Sequence, residues 1–160
     1  MILALDLATR FGWAVGAPCS RPLSGAVHLD GTRPGQRFLQ LARRVQTLID
    51  EHAVTEVVIE DAFIGARLSA AGTLYGYRAV AMVAAENRGL PVTPVPPSRW
   101  RKGFLGAGGG KRGALKAATI QQCRAHGWAP RTEDEADALG LWSYWCSVRD
   151  PQHLFWREPA

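Results

Sequence analysis

Four acidic residues stand where a carboxylate is unusual in a folded domain. Asp6 and Glu60 each end a short apolar run of the kind that forms a buried strand. Asp134 and Asp137 are three residues apart, which places both side chains on one face of a helix. Because a carboxylate in an apolar strand is costly unless it is paired or binds a metal, we expect the four to share a function.

Oxygen ligands from two strands and one helix suit a hard divalent cation. Two Mg²⁺ ions about 4 Å apart could hold a phosphodiester for in-line hydrolysis, and Mn²⁺ could substitute for them. Taken singly, each acid also has a structural explanation: Asp6 as a turn cap, Glu60 as an exposed strand end, and the helix acids as partners of the helix dipole. Taken together, the four acids predict a site for two metal ions.

The charge of the chain is unevenly distributed: its 160 residues carry a formal net charge of +5. Between Pro91 and Thr132 there are eight basic residues and no acidic one, whereas the rest of the chain holds 11 basic and 14 acidic residues. This asymmetry predicts an anionic partner, with phosphates as the first choice, although a solvated helix surface is the alternative. Trp100 and Phe104 lie in this segment and fit either nucleic-acid stacking or a half-buried helix.

Length and composition exclude several classes of protein. A chain of 160 residues supports one domain, which we expect to span residues 1–160. With 47% hydrophobic and 21% charged residues, the chain is typical of globular rather than disordered proteins. The opening MILALDL is too short, and contains an acid, to act as a signal peptide or membrane span. Three scattered cysteines without a CxxC pair predict neither a disulfide framework nor a zinc site, so we expect a cytoplasmic protein without membrane contact.

The apolar periodicity predicts an α/β domain whose first three strands are antiparallel and whose later strands follow parallel crossovers. The predicted strands are Ile2–Asp6, Phe11–Gly16, Ser24–Leu29, Glu56–Glu60 and Val92–Val95. The predicted helices are Gln36–His52, Thr73–Arg88, a short one from Arg99, one over about Lys111–His126, and a last one capped by Thr132 in a capping-box pattern with Glu135.

Five segments occur in one order along the chain: LALDLATRFGWAVG, VVIEDAF, PPSRWRK, GGGKRGALKA and DEADALGLW. In this order they resemble the RuvC-type Holliday junction resolvases of bacteria and phages, and the resemblance extends from residue 2 to about residue 146. It implies a ribonuclease H-like fold with a mixed five-stranded sheet flanked by helices. It further implies a homodimer that cleaves branched DNA, such as a four-way junction, by a two-metal reaction leaving a 5′-phosphate and a 3′-hydroxyl.

Carried over position by position, the resemblance makes Asp6, Glu60, Asp134 and Asp137 the metal-binding and catalytic acids. Lys111 matches a lysine that follows the glycine loop of the family, and we expect it to offset charge on the phosphate during catalysis.

The resemblance also predicts DNA contacts outside the acids. Phe63 stands three residues after Glu60, where the family has an aromatic residue that contacts the junction. Lys102 matches a second family lysine, after the Pro-Ser turn. Together with the basic side chains near these motifs, the predicted DNA-binding residues are Phe63, Arg67, Arg99, Arg101, Lys102, Lys111, Arg112 and Lys116.

The chain departs from the family pattern at some positions. Ala8 stands where the family usually has glycine, and residues 16–29 match no family pattern. These departures are similar to those of a divergent or phage-type member. The helix Thr73–Arg88 is expected to form the dimer interface through Tyr75, Val80, Val83 and Ala84, with ordinary core packing as the alternative.

Some of the motifs also fit other classes of protein. The glycine run Gly106–Gly110 is not a nucleotide-binding loop, because GKR follows where a P-loop needs GK[ST] and Leu105 occupies the position of its first glycine. ALDLATRFG also resembles the first phosphate loop of actin-like ATPases, which need two such domains. A RuvX-type nuclease of pre-ribosomal RNA and a catalytically silent protein that binds branched DNA stay open as alternatives.

Overall fold

A computed structural model describes residues 1–61, 68–106 and 108–156 of the chain. The strands are β1 (Ile2–Asp6), β2 (Arg10–Gly16), β3 (Leu23–His28), β4 (Glu56–Glu60) and β5 (Val92–Val95). The helices are α1 (Pro34–Glu51), α2 (Leu68–Glu86), α3 (Pro97–Leu105), α4 (Arg112–Ala125) and α5 (Glu133–Arg149), followed by a 3₁₀ turn, Pro151–Phe155.

The five strands form one mixed sheet in the order β3-β2-β1-β4-β5. β1 pairs antiparallel with β2, and β2 pairs antiparallel with β3, because short links join them. β4 runs parallel to β1, and β5 runs parallel to β4, after crossovers through α1 and α2. The predicted mixed sheet with an antiparallel first half is therefore confirmed.

Helices cover both faces of the sheet, and the alternation of side chains divides the core in two. Leu3 and Leu5 of β1 pack in the core beneath α1 and α2. Ile2 and Ala4 of the same strand pack in the second core, beneath α3, α4 and α5. The same alternation continues to Asp6, which therefore belongs to the face that α5 covers.

The strand β4 repeats this arrangement beside β1. Val57 and Ile59 pack in the core under α1 and α2, whereas Val58 packs on the other face. Glu60 follows the parity of Val58 and so belongs to the same face as Asp6. Asp61, the next residue, forms an ion pair with Arg78 of α2, on the opposite side of the sheet.

Two glycines allow close approach of helices in the second core. A Cβ at Gly12 of β2 would lie 1.8 Å from the carbonyl oxygen of Asp134, so the first turn of α5 rests directly on this strand. A Cβ at Gly140 of α5 would lie 2.7 Å from the ring of Trp100, so α3 packs closely on α5. These contacts fix the position of α5 over the end of β1.

The start of α5 confirms Thr132 as the N-cap, since its hydroxyl accepts a hydrogen bond from the Glu135 backbone N–H at 3.1 Å. The predicted capping box is wrong in its second half. The Glu135 carboxylate accepts hydrogen bonds from the Arg131 backbone N–H at 2.9 Å and from the Ser24 hydroxyl at 2.8 Å. Glu135 is buried. Its two hydrogen bonds connect α5 to β3 and to the residues that precede α5.

The largest difference between the observed and the predicted helices is at the start of α2. α2 begins at Leu68 rather than at Thr73, because its first residues include alanines, which favour helix without giving an amphipathic signal. The 3₁₀ turn after α5 was not predicted. Within the described ranges, no helix is long and apolar enough to cross a membrane.

The 3₁₀ turn is anchored by a buried histidine. The Cys19 backbone N–H donates to His153 Nδ1 at 2.9 Å, so in the neutral ring Nε2 carries the proton and donates to the Ser143 hydroxyl at 3.3 Å. The ring packs between Trp142 and Trp156. Burial is the main cause that lowers the pKa of His153, because it disfavours the charged ring.

The lowered pKa of His153 gives a pH dependence of stability. Since the unfolded ring titrates near 6.5 and the folded ring below it, the unfolded chain binds more protons in this window. The contribution of His153 to the free energy of unfolding should rise with pH up to about 6.5, with a slope of at most about 1.4 kcal/mol per pH unit. Urea unfolding of His153→Gln should lose that slope, and the exposed His28→Gln control should keep it. An equal slope in wild type and His153→Gln would refute the assignment.

The close approach at Gly12 gives a second expectation. Gly12→Ala should lower the free energy of unfolding by about 1–3 kcal/mol, because the added methyl group must displace the first turn of α5. Gly113→Ala is the matched control, since a Cβ there meets nothing within 4 Å. Urea unfolding of both variants measures the difference, and equal stabilities would show that α5 does not rest on Gly12.

Candidate active site

The first two predicted acids lie side by side at the end of the sheet. Asp6 ends β1 and Glu60 ends the parallel neighbour β4, with Leu5 and Ile59 paired just before them. Both side chains belong to the face covered by α5. The half-buried position of Asp6 and the apolar strands beneath both acids leave their carboxylates little contact with water.

The first turns of α5 bring the other two acids to the same place. Desolvation raises the pKa of Asp6 well above its usual range, and the nearby charges of Glu60, Asp137 and Asp134 raise it further, in that order. Asp137 is itself buried, and desolvation is the main cause that raises its pKa. The structure thus gathers the four predicted acids, Asp6, Glu60, Asp134 and Asp137, into one group, which we call the acid cluster.

Arg101 of α3 lies against this cluster. One guanidinium nitrogen, Nη2, is 3.2 Å from Asp137 Oδ2 and 3.6 Å from Glu60 Oε2. Its positive charge lowers the pKa of Asp6 and of Asp137, against the larger effect of desolvation. Arg101 is one of the predicted DNA contacts, whereas the structure directs its guanidinium to two of the predicted metal ligands.

Trp100, next to Arg101, positions the glutamate. Its indole N–H donates a hydrogen bond to Glu60 Oε2 at 2.7 Å. Both Trp100 and Phe104 are buried against α5, so the half-buried-helix interpretation holds and neither ring is free to stack on nucleic acid. The role of Trp100 was missed, and the only sequence signal for it is an aromatic residue in a Pro-initiated helix that must cover the sheet.

Arg10 is a further residue that sequence reasoning missed. Its Nε donates to Asp134 Oδ2 at 2.5 Å, and its side chain is 54% exposed. It begins β2, directly across the hairpin from the end of β1. Asp134 therefore has a cationic partner at the rim of the cluster, as Asp137 has one inside it.

The acid cluster fits a hard divalent cation by the chemistry of its donors. All four side chains offer carboxylate oxygens, which Mg²⁺ and Mn²⁺ prefer, and their mutual repulsion calls for positive charge at this point. In the part of the chain that the structure describes, no three His, Cys, Asp or Glu side chains are already arranged to hold a metal. Three of the acids instead face arginine: Asp134 faces Arg10, and both Glu60 and Asp137 face Arg101.

The predicted DNA-binding residues occupy different settings. Arg99, Lys102 and Lys111 are exposed on α3 and at the N-cap of α4. Lys116 forms an ion pair with Glu133 at the start of α5. Arg112 begins α4. The predictions for Phe63 and Arg67 lie outside the described residues.

Comparison with known proteins identifies relatives of this chain. Residues 12–142 match the family model described as crossover junction endodeoxyribonuclease RuvC. The protein of that name from Ruegeria pomeroyi is 31% identical over 147 residues, which cover 88% of this chain and 87% of the relative.

Solved structures have the same fold. The Thermus thermophilus RuvC structure superposes with a TM-score of 0.75 at 19% identity and covers 99% of both chains. Thermus thermophilus RuvC in complex with Holliday junction substrate gives a TM-score of 0.78 at 21% identity, over 92% of this chain and 94% of the other. The fold expected from the resemblance is therefore confirmed, while a divergent or phage-type origin stays a prediction. By the extent of the family match and the identity to its relatives, this chain belongs to the RuvC family of crossover junction endodeoxyribonucleases.

Proposed function

We propose that this RuvC-family endonuclease cleaves branched DNA at the acid cluster, with two Mg²⁺ ions bound by Asp6, Glu60, Asp134 and Asp137. As a member of the family, the chain is a crossover junction endodeoxyribonuclease, and this favours the resolvase over the RNA nuclease, the ATPase and the silent binding protein. The observation that carries the proposal is the convergence of carboxylates from β1, β4 and α5, since one nitrogen of Arg101 lies 3.6 Å from Glu60 Oε2 and 3.2 Å from Asp137 Oδ2. Desolvation raises the pKa of Asp6 well above its usual range, and the charges of Glu60, Asp137 and Asp134 raise it further.

Each acid contributes to the site in a way that follows from its position. Asp6 and Glu60 are held by paired strands, so their carboxylates face one point without a flexible loop between them. The Trp100 indole fixes one Glu60 oxygen. Burial and the N-terminal turns of α5 restrain Asp137 and Asp134. Bound divalent cations would supply a water of lowered pKa and positive charge at the phosphate.

Lysine and arginine side chains around the cluster would act on the substrate. Lys111 is exposed at the N-cap of α4, and we assign it the role of offsetting charge that develops on the scissile phosphate. Arg99 and Lys102 are exposed on α3, whose neighbouring residues touch the acids. They would hold phosphates without reading base sequence. Cleavage on this arrangement leaves a 5′-phosphate and a 3′-hydroxyl.

We also infer a homodimer that uses an apolar groove between α1 and α2. The groove has a volume of about 400 Å³, and its walls include Leu39, which is 52% exposed, and Val83, which is 60% exposed. Val80 lines the groove, and Tyr75 is exposed on the same helix, as expected for an interface. Ala84 is buried under α1 and belongs chiefly to the core. Two-fold pairing through this face would present two sites to two strands of a symmetric junction.

The acid cluster is tested by removing one charge. Asp6→Asn should lower junction cleavage by about 10³-fold or more, since the metal site contributes several kcal/mol to the reaction. Binding of the same four-way junction should persist, because Asp6 itself holds no phosphate. The matched control is Asp61→Asn, an acid one residue beyond β4 that pairs with Arg78 on the other face of the sheet. Cleavage by Asp6→Asn at the wild-type rate would contradict the site.

The DNA surface is tested by salt dependence. Arg99, Lys102 and Lys111 are replaced together by Gln. The slope of the logarithm of the junction association constant against the logarithm of the salt concentration should become shallower by about 2–3, roughly one for each cation that no longer neutralises a phosphate. Arg43→Gln is the control, because Arg43 is exposed on α1, across the sheet from the acid cluster. Junction binding by fluorescence anisotropy at several salt concentrations gives the slopes. An unchanged slope in the triple variant would exclude these side chains from the DNA surface.

A further inference from the structure

Arg101 occupies a position that a surface DNA contact would not need. Its side chain is only 19% exposed, and its Nη2 reaches Asp137 at 3.2 Å and Glu60 at 3.6 Å. Its Nε is buried and makes no hydrogen bond within the described residues. By contrast, Arg10 pairs with Asp134 from a side chain that is 54% exposed. Arg101 is therefore built into the acid cluster, whereas Arg10 lies at its edge.

Its neighbour in the chain holds the guanidinium in place. The Arg101 Cζ lies 4.7 Å from the centre of the Trp100 ring, within the range of a cation–π contact. Trp100 is buried under Gly140 of α5 and donates its indole N–H to Glu60 Oε2. Two consecutive residues of α3 thus converge on one carboxylate oxygen, the indole at 2.7 Å and the guanidinium at 3.6 Å.

A guanidinium at this point and a divalent cation need the same oxygens. The proposed function makes Glu60 and Asp137 metal ligands, and Arg101 Nη2 already lies 3.6 Å from Glu60 Oε2 and 3.2 Å from Asp137 Oδ2. A second cation among these carboxylates would meet both like-charge repulsion and oxygens already engaged. The two cations are therefore linked, and each lowers the affinity of the cluster for the other.

We propose that Arg101 is a placeholder cation. It balances the acid cluster while no metal is bound, and it leaves the carboxylates when a divalent cation arrives. Arg101 is a positioning residue in this role, because it acts on the ligands of the metal. The inference rests on the proposed function, which makes Glu60 and Asp137 metal ligands.

The test measures Mn²⁺ binding without DNA. Free Mn²⁺, followed by its electron paramagnetic resonance signal, gives the dissociation constant for the full chain and for Arg101→Met, Arg101→Lys and Arg99→Met. Arg101→Met should bind Mn²⁺ about fivefold or more tightly, at the lower end of coupling between two ligands of one site. Arg101→Lys, which keeps the charge, should remain close to wild type. Arg99→Met removes one charge from an exposed position on the same helix and should leave the constant unchanged.

Thermal unfolding of the same proteins separates this role from simple packing. Without metal, Arg101→Met should have a lower melting temperature than wild type, because the carboxylates lose their counter-charge. Saturating Mn²⁺ should remove this difference in melting temperature. If Arg101 were purely structural, the difference in melting temperature between Arg101→Met and wild type would be the same with and without Mn²⁺. In wild type, the Nε resonance of Arg101 should shift during a Mg²⁺ titration, with the same midpoint as metal binding.

The outcomes distinguish this proposal from the function on which it rests. Saturable Mn²⁺ binding by wild type with the same dissociation constant in Arg101→Met would overturn the placeholder role alone, as would an Arg101 resonance that ignores Mg²⁺. If wild type shows no saturable binding, the metal site itself fails, and the placeholder role fails with it.

Discussion

Four carboxylates brought together in a partly buried site repel one another, and much of the surrounding structure compensates for that repulsion. Desolvation adds to the effect, since it disfavours every charged group that cannot reach water. Three side chains offset the repulsion. The Trp100 indole donates a hydrogen bond to Glu60, the Arg101 guanidinium lies between Glu60 and Asp137, and Arg10 forms an ion pair with Asp134. These contacts keep the like charges together at the end of the sheet.

The apolar core decides where the charges lie. Buried residues of β1 and β4 fix the ends of two parallel strands, and strict alternation directs the acids at those ends to one face. On that face, α5 can come close only because Gly12 has no side chain, and α3 can come close because Gly140 has none. Thr132 and Glu135 fix the first turn of α5. A shift of this helix would therefore move Asp134 and Asp137 relative to Asp6 and Glu60.

Much of this arrangement could be predicted from the sequence. The ends of two apolar runs predicted Asp6 and Glu60, and three-residue spacing joined Asp134 to Asp137. The direction in which α3 presents its residues was not predictable. The basic segment of α3 contains Arg99, Arg101 and Lys102, and the sequence does not distinguish their roles. In the structure, the packing of Trp100 against Gly140 directs the Arg101 side chain toward the acid cluster. The pairing of Asp134 with Arg10 was also not predictable, because two residues 124 positions apart leave no local sequence pattern.

A crystal of the chain soaked in Mn²⁺ tests most directly whether the four carboxylates form a site for divalent cations. Anomalous scattering locates Mn²⁺ without reference to activity or DNA. The expected result is anomalous density in contact with the carboxylates of Asp6, Glu60 and Asp137. A saturated crystal without anomalous density among these side chains, or with Mn²⁺ bound only elsewhere, would contradict the account.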